Sequence, residues 1–149
     1  MGYKFELLHQ YPLFDGLNEE QMQAVIGVCR EECFLPGSTL FAEGEPAAEI
    51  FVLVAGDVEE SFTVDGAELS LRRHAAAGEV IGCPALVQPF TQRCTVRSIN
   101  EIEVLAIDAA GLRQLFAQDC ELARTMQYHF IEALLDRLGS LRLAGVKAL

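Results

Sequence analysis

The spacing of apolar residues changes twice along this chain, from helical to alternating and back. In the first thirty residues Leu7, Leu8, Leu13 and Phe14 form an apolar set ahead of a turn at Asp15-Gly16. Met22, Val25, Ile26 and Cys29 then recur at helical intervals. Asn18 with Gln21 three residues on is the reciprocal pair that satisfies orphan amides at a helix start, so a helix is predicted to begin there. From about residue 32 the apolar runs shorten and become rich in Phe, Val, Leu, Ile and Thr, punctuated by Gly37, Gly44, Gly56, Gly66, Gly78 and Gly82. Turn signals roughly every 8–12 residues predict an antiparallel sandwich or barrel. Asp65-Gly66 in TVDGAEL suits a two-residue hairpin turn, and CTVRSINEIEVLAID supplies two more strands around residues 98–101. After Asp108 the helical period returns. AAGLRQLFAQ reads as a short helix and the segment from Cys120 as a long one, with Leu122, Met126, Phe130, Ala133, Leu134, Arg137, Leu138 and Leu141 at three- and four-residue spacings.

These elements predict one domain over residues 1–149 of the α+β class, mainly β. N-terminal helices occupy 1–31, an antiparallel eight-stranded roll or jelly-roll barrel 32–108, and C-terminal helices 109–149. The long helix is more apolar than one stripe against a small barrel requires. A homodimer through residues of about 120–143 is therefore expected.

Charge narrows the partners. The chain has 149 residues and a net charge of −11, with 14 acids against 2 bases in residues 1–70 and 8 against 9 in residues 71–149. Nucleic-acid affinity comes largely from Lys and Arg displacing counterions, so binding to DNA or RNA is not expected. A small anion remains compatible with the second half. No run approaches the ~18 consecutive apolar residues of a membrane span, and no secretory signal is visible. A cytoplasmic location is expected. The five cysteines are an odd number, expected to stay reduced. Cys29 and Cys33, at i and i+4, fall on one face of a helix in this reading. Two further metal ligands are missing nearby, so both are read as packing residues.

The segments YPLFDGLNEEQM, FLPGSTLFAEGEPAAEIFVLVAGDV, HAAAGEVIGCPAL and CTVRSINEIEVLAID together resemble a cyclic nucleotide-binding domain of the catabolite-activator/FNR type. The resemblance covers nearly the whole chain. It implies a phosphate-binding cassette over residues 79–96, a helical turn between two strands whose backbone amides face the cyclic phosphate. In the family the first half of the cassette reads Phe-Gly-Glu and the second Pro-Arg, a small residue, Ala, Thr, Val. The Arg grips the phosphate and the Glu the ribose hydroxyl. Here Ile81, Gly82 and Cys83 stand on Phe-Gly-Glu, with Pro84, Ala85 and Leu86 completing the turn. Anchoring on Thr95-Val96 places Cys94 on the Ala, Arg93 on the small residue and Gln92 on the Arg, so both grips are substituted. A one-residue slip in the loop instead puts Arg93 on the phosphate. The loop VQPFTQ, with Pro89-Phe90, resembles a branch of the family written roughly Gly-Trp-x-Ala-Leu-x-x-Pro-Tyr. By rough register the purine-capping positions of the long helix fall near Leu141-Arg142.

The resemblance implies a regulatory or sensor domain that takes cAMP, cGMP or another small anion and signals through dimer or protein-partner contacts. Tight cAMP binding is not expected. The alternative is a ligand-free protein-interaction module on the same scaffold, and no helix-turn-helix pattern follows the long helix. An enzyme is not expected, because His9, His74 and His129 lack metal-site spacing and no nucleophile has a recognisable partner. Relatives of this fold bind haem, which gives His74, Cys83 and Cys94 a rival reading as redox groups; packing is the preferred one. No cofactor is assigned.

Overall fold

The computed structural model describes residues 6, 8–73 and 77–148, with side chains described for all of these but 71–73 and 141–148. Eight strands form two antiparallel four-stranded sheets. The first has the order β1 (Cys29–Phe34), β8 (Ile102–Asp108), β3 (Glu49–Ala55), β6 (Val80–Ile81). The second has the order β2 (Thr39–Phe41), β7 (Thr95–Ser98), β4 (Val58–Val64), β5 (Ala67–Arg73). Helices α1 (Glu19–Ile26), α2 (Ala109–Gln118) and α3 (Cys120–Ala148) flank the roll, with a short 3-10 turn at Pro12–Phe14. The eight-stranded, mainly β architecture with a long C-terminal helix is as the spacing predicts.

Two cores explain the sequence runs. Successive strand residues point to opposite faces. On β3, Phe51 and Leu53 enter the roll while Ile50 and Val52 pack against the helices; on β8, Val104 and Ala106 enter the roll while Leu105 and Ile107 face the helices. Burial on both faces is why IFVLV and VLAI are continuous rather than alternating. The β4–β5 hairpin turns on Asp65 (φ 51°) and Gly66 (φ 80°), both left-handed, as a two-residue turn of this kind demands.

The caps also follow the sequence. The Gln21 amide donates to Asn18 Oδ1 at 2.8 Å and the Asn18 amide to Gln21 Oε1 at 3.0 Å. Gln21 Nε2 reaches on to Asp119 Oδ2 at 3.2 Å, and Asp119 in turn accepts from the Glu121 and Leu122 amides that open α3. The Leu122 amide, and after it the Gln21 side chain, holds the Asp119 carboxyl below the usual carboxylate range.

One expectation is corrected. The N-terminal helix stops at Ile26, and Cys29 and Cys33 lie on a strand, not on a helix face. Strand β1 pairs with β8 from Cys29↔Ile107 onward, so pairing with a distant apolar strand overrides the local helical spacing. Cys29 is buried and Cys33 exposed. No helix among the described residues is long and apolar enough to cross a membrane.

Candidate functional site: the cassette and the helix that covers it

Between β6 and β7 the chain makes a 3-10 turn at Cys83–Leu86, entered through Gly82 at φ 99° and ψ 24°. That conformation favours glycine, and a Cβ there would stand 2.9 Å from the Glu49 carbonyl oxygen of β3. The turn therefore lies directly against the first sheet. Its first bond runs from the Ala85 amide to the Gly82 carbonyl at 3.1 Å. Ala85 is fully buried, Ile81 belongs to the roll core, and Cys83, Pro84 and Leu86 are half-buried.

Arg113 of α2 fastens this turn from outside. Its Nη1 donates to the Ala85 carbonyl at 2.6 Å, and its guanidinium stands 4.2 Å from the centroid of the Phe90 ring. The loop after the turn is pinned to residues 44–47. The Gln92 amide donates to the Glu45 carbonyl at 2.8 Å, the Gly44 amide to the Gln92 carbonyl at 2.8 Å, and the Ala47 amide to the Phe90 carbonyl at 2.7 Å. Thr95 Oγ1 accepts from the Glu43 amide at 2.9 Å.

Within this frame Gln92 is turned inward, 3% exposed, and its Oε1 is buried without a hydrogen-bond partner. Arg93 is exposed. Cys94 packs against the roll core and Cys83 against the helix-side core, and neither is in a disulfide. Burial pushes the Cys83 thiol up to about 11, with the charge of Arg137 pulling the other way. His129 is satisfied locally, its Nε2 at 3.0 Å from the Asp15 carbonyl and its Nδ1 at 2.9 Å from Glu132 Oε1. His74 lies outside the described residues, as do the side chains of Leu141 and Arg142.

Two charged residues at the site were not singled out by the sequence as functional. Glu60 on β4 shares a face with Val58 and stands in register with Val96 of β7, both roll-core residues, so its carboxylate is inside the roll. Arg137 of α3 donates from Nη2 to Glu60 Oε2. The Glu60 side chain is 8% exposed and that of Arg137 24%. Arg137 thus reaches the roll one helical turn before the predicted capping positions. Its spacing had placed it in the three- and four-residue series with Leu122, Met126 and Phe130. Glu60 had a weaker signal, an acid at the alternation position of an inward Val. A cleft of about 400 Å³ opens beside Arg137, lined by Leu13, Gly78, Glu79, Cys83 and Ala133 among others. A notch of about 480 Å³ between the start of α1 and the α2–α3 corner contains none of the cassette residues. Among the described residues no group of three or more His, Cys, Asp or Glu is placed to hold a metal.

The family model described as a cyclic nucleotide-binding domain matches residues 31–119. Among solved structures, a protein of Geobacter metallireducens, provisionally named a cyclic nucleotide-binding protein, is 25% identical with a TM-score of 0.78, covering 89% of this chain and 96% of that one. The cyclic nucleotide-gated ion channel 18 of Arabidopsis thaliana is 26% identical over 72% of this chain and 17% of its own length. The CRP-like cAMP-activated global transcriptional regulator of Mycobacterium tuberculosis is 22% identical over 81% of this chain and 54% of its own. The chain thus spans about half of that regulator and about a sixth of the channel.

Proposed function

The chain belongs to the cyclic nucleotide-binding domain family, and from that premise we propose that it is a regulatory sensor domain whose roll accepts a small anion loosely rather than cAMP tightly. The observation that carries this reading is the placement of two neighbours: Gln92 buried with an unpaired amide oxygen, Arg93 in solvent. This supports Gln92, not Arg93, at the phosphate-gripping position, with Cys83 at the ribose-gripping one. The turn keeps its shape, because Gly82, Ala85 and Leu86 still set the backbone. A charge-assisted hydrogen bond contributes about 1.5–3 kcal/mol net. Lacking both grips weakens a cAMP site by roughly 10²–10⁴-fold.

The output surface in this reading is the outer face of α3. Tyr128, Ile131, Leu135 and Leu138 are exposed and spaced 3, 4 and 3 residues apart. That is the seam of a two-stranded coiled coil, so the occupant is a second copy of the chain. The same stripe favours the second reading, an interaction module that works without a ligand.

Calorimetric titration with cAMP and cGMP of the reduced protein, of Arg93→Ala and of Gln92→Arg tests the ligand half. The expected result is wild-type dissociation constants weaker than about 100 µM, no effect of Arg93→Ala, and tightening of about tenfold or more in Gln92→Arg. Binding at tens of micromolar that disappears in Arg93→Ala would place Arg93 on the phosphate and overturn the altered-cassette reading.

A further inference from the structure

Of the arginines whose side chains are described, those near the cassette are committed elsewhere with one exception. Arg93 and Arg97 face solvent, and Arg113 is held by the Ala85 carbonyl and the Phe90 ring. Arg137 alone among them extends into the roll, where it meets Glu60. Its charge also acts on Cys83, so it stands between the inner face of β4 and the start of the cassette turn.

We infer that Arg137 is the anion-holding residue of this roll, and that Glu60 is an internal anion occupying it in the ligand-free state. The inference rests on the roll being an anion-taking pocket and names the residue that does the gripping. Three observations support it. The pair is part-buried, with the Glu60 side chain 8% exposed and that of Arg137 24%, and a guanidinium so placed is better paired than left alone. An entering phosphate or carboxylate supplies that partner, so exchanging Glu60 for a ligand keeps Arg137 paired. The buried side chain that the cassette itself presents, Gln92, is neutral, so it leaves the charge of an incoming anion to be met from elsewhere. The guanidinium, finally, is planar with five donors and grips phosphate or carboxylate through two parallel bonds.

The consequence is mechanical. A cassette arginine would hold a ligand from the loop between β6 and β7, whereas Arg137 sits on α3, the helix that carries Tyr128, Ile131, Leu135 and Leu138. Ligand competes with Glu60 for a side chain of the output helix, and displacement of the pair shifts that helix. Apparent affinity is reduced by the fraction of time Arg137 is free of Glu60, so removing the internal anion raises it by the inverse of that fraction.

The test uses Glu60→Gln, which keeps the side-chain shape, and Glu60→Gln/Arg137→Gln, which removes both charges and leaves neither orphaned. Each is titrated with cAMP and cGMP, and amide hydrogen exchange is followed over residues 133–140, with circular dichroism to establish folding. The expected result is cAMP or cGMP binding at least about tenfold tighter in Glu60→Gln than in wild type, lost in the double variant. Exchange over 133–140 is expected to quicken in Glu60→Gln and to slow again with nucleotide. Equal affinities in wild type and Glu60→Gln overturn the inference. If neither protein takes a nucleotide, exchange decides: faster exchange in Glu60→Gln upholds the internal anion and retires cyclic nucleotides as its competitor, and unchanged exchange overturns it. Should Glu60→Gln fail to fold, the double variant is the comparison. Exchange over 133–140 as slow in it as in wild type would show that the pair holds nothing, and faster exchange would uphold it.

Discussion

Replacing Leu135 by Glu asks whether the outer stripe of α3 joins two copies of the chain. Leu135 is 61% exposed, and Tyr128, Ile131 and Leu138 are 62%, 57% and 44% exposed, on a helix whose opposite face buries Leu122, Met126 and Phe130. Fully burying a leucine contributes about 1.5–3 kcal/mol, so covering the exposed three-fifths of Leu135 is worth roughly 1–2 kcal/mol per chain. A twofold seam counts it twice. The variant is then expected to weaken a dimer by roughly 30- to 1,000-fold, before any repulsion between the two facing carboxylates. Sedimentation equilibrium from about 1 to about 100 µM, which brackets the roughly micromolar affinities such seams reach, reads this directly. Leu35→Glu is the control, because Leu35 is exposed in the β1–β2 connection and belongs to no stripe. Wild type at the mass of one chain throughout the range refutes the reasoning. So does a Leu135→Glu protein that associates as the wild type does.

Two further substitutions test the site's construction. Gly66 and Gly82 both have left-handed backbones, φ 80° and 99°, but a Cβ on Gly66 meets nothing within 4 Å whereas one on Gly82 stands 2.9 Å from the Glu49 carbonyl. Gly66→Ala is expected to cost about 1–2 kcal/mol from conformation alone, and Gly82→Ala at least twice as much in urea denaturation; equal costs would mean that the approach to β3 does not fix the turn. Cys83, raised from an ordinary 9.0 to about 11 by burial, is expected to alkylate at pH 8 about 100-fold more slowly than an ordinary thiol, after the exposed Cys33 and Cys120. Peptide mapping after iodoacetamide checks this, and labelling of Cys83 as fast as Cys33 would contradict it. The sign for stability follows from the same shift: the folded chain favours the neutral thiol, so this contribution is intact below about 9 and lost as pH rises through about 11.

Much of the fold was legible because its determinants are local. The Asn18–Gln21 cap, the Asp65-Gly66 turn and the return of helical spacing after Asp108 each depend on a few consecutive residues. Cys29 was misplaced on the helix for the opposite reason: its spacing continues the pattern of Met22, Val25 and Ile26, but its backbone pairs with Ile107, a partner 78 positions away in sequence. The cassette was legible as a shape and ambiguous at one residue. Anchoring on Thr95-Val96 puts Gln92 at the gripping position and a one-residue slip puts Arg93 there; the burial of the one and exposure of the other, which supports the first, is not written in the sequence. The pairing of Glu60 with Arg137 was not legible, although each residue had a positional signal of its own. Its two members stand on a strand of the second sheet and on the last helix, and neither residue carries a mark of the other.

On the reading proposed above, the site exchanges one pair of charges of the family pattern for another. In that reading Cys83 and Gln92 stand where the family has a carboxylate and a guanidinium, and Glu60 and Arg137 return one of each from β4 and α3. The charge balance around the turn is therefore kept, which suits a roll that still folds around Gly82 and Ala85. Its mechanical linkage is not kept. Both family grips ride on the cassette, and here one charge rides on the second sheet and the other on the helix bearing the apolar stripe. On the reading proposed above, anything that draws Arg137 away from Glu60 acts on that helix without an intermediate, and the strength of the internal pair sets how much ligand is needed.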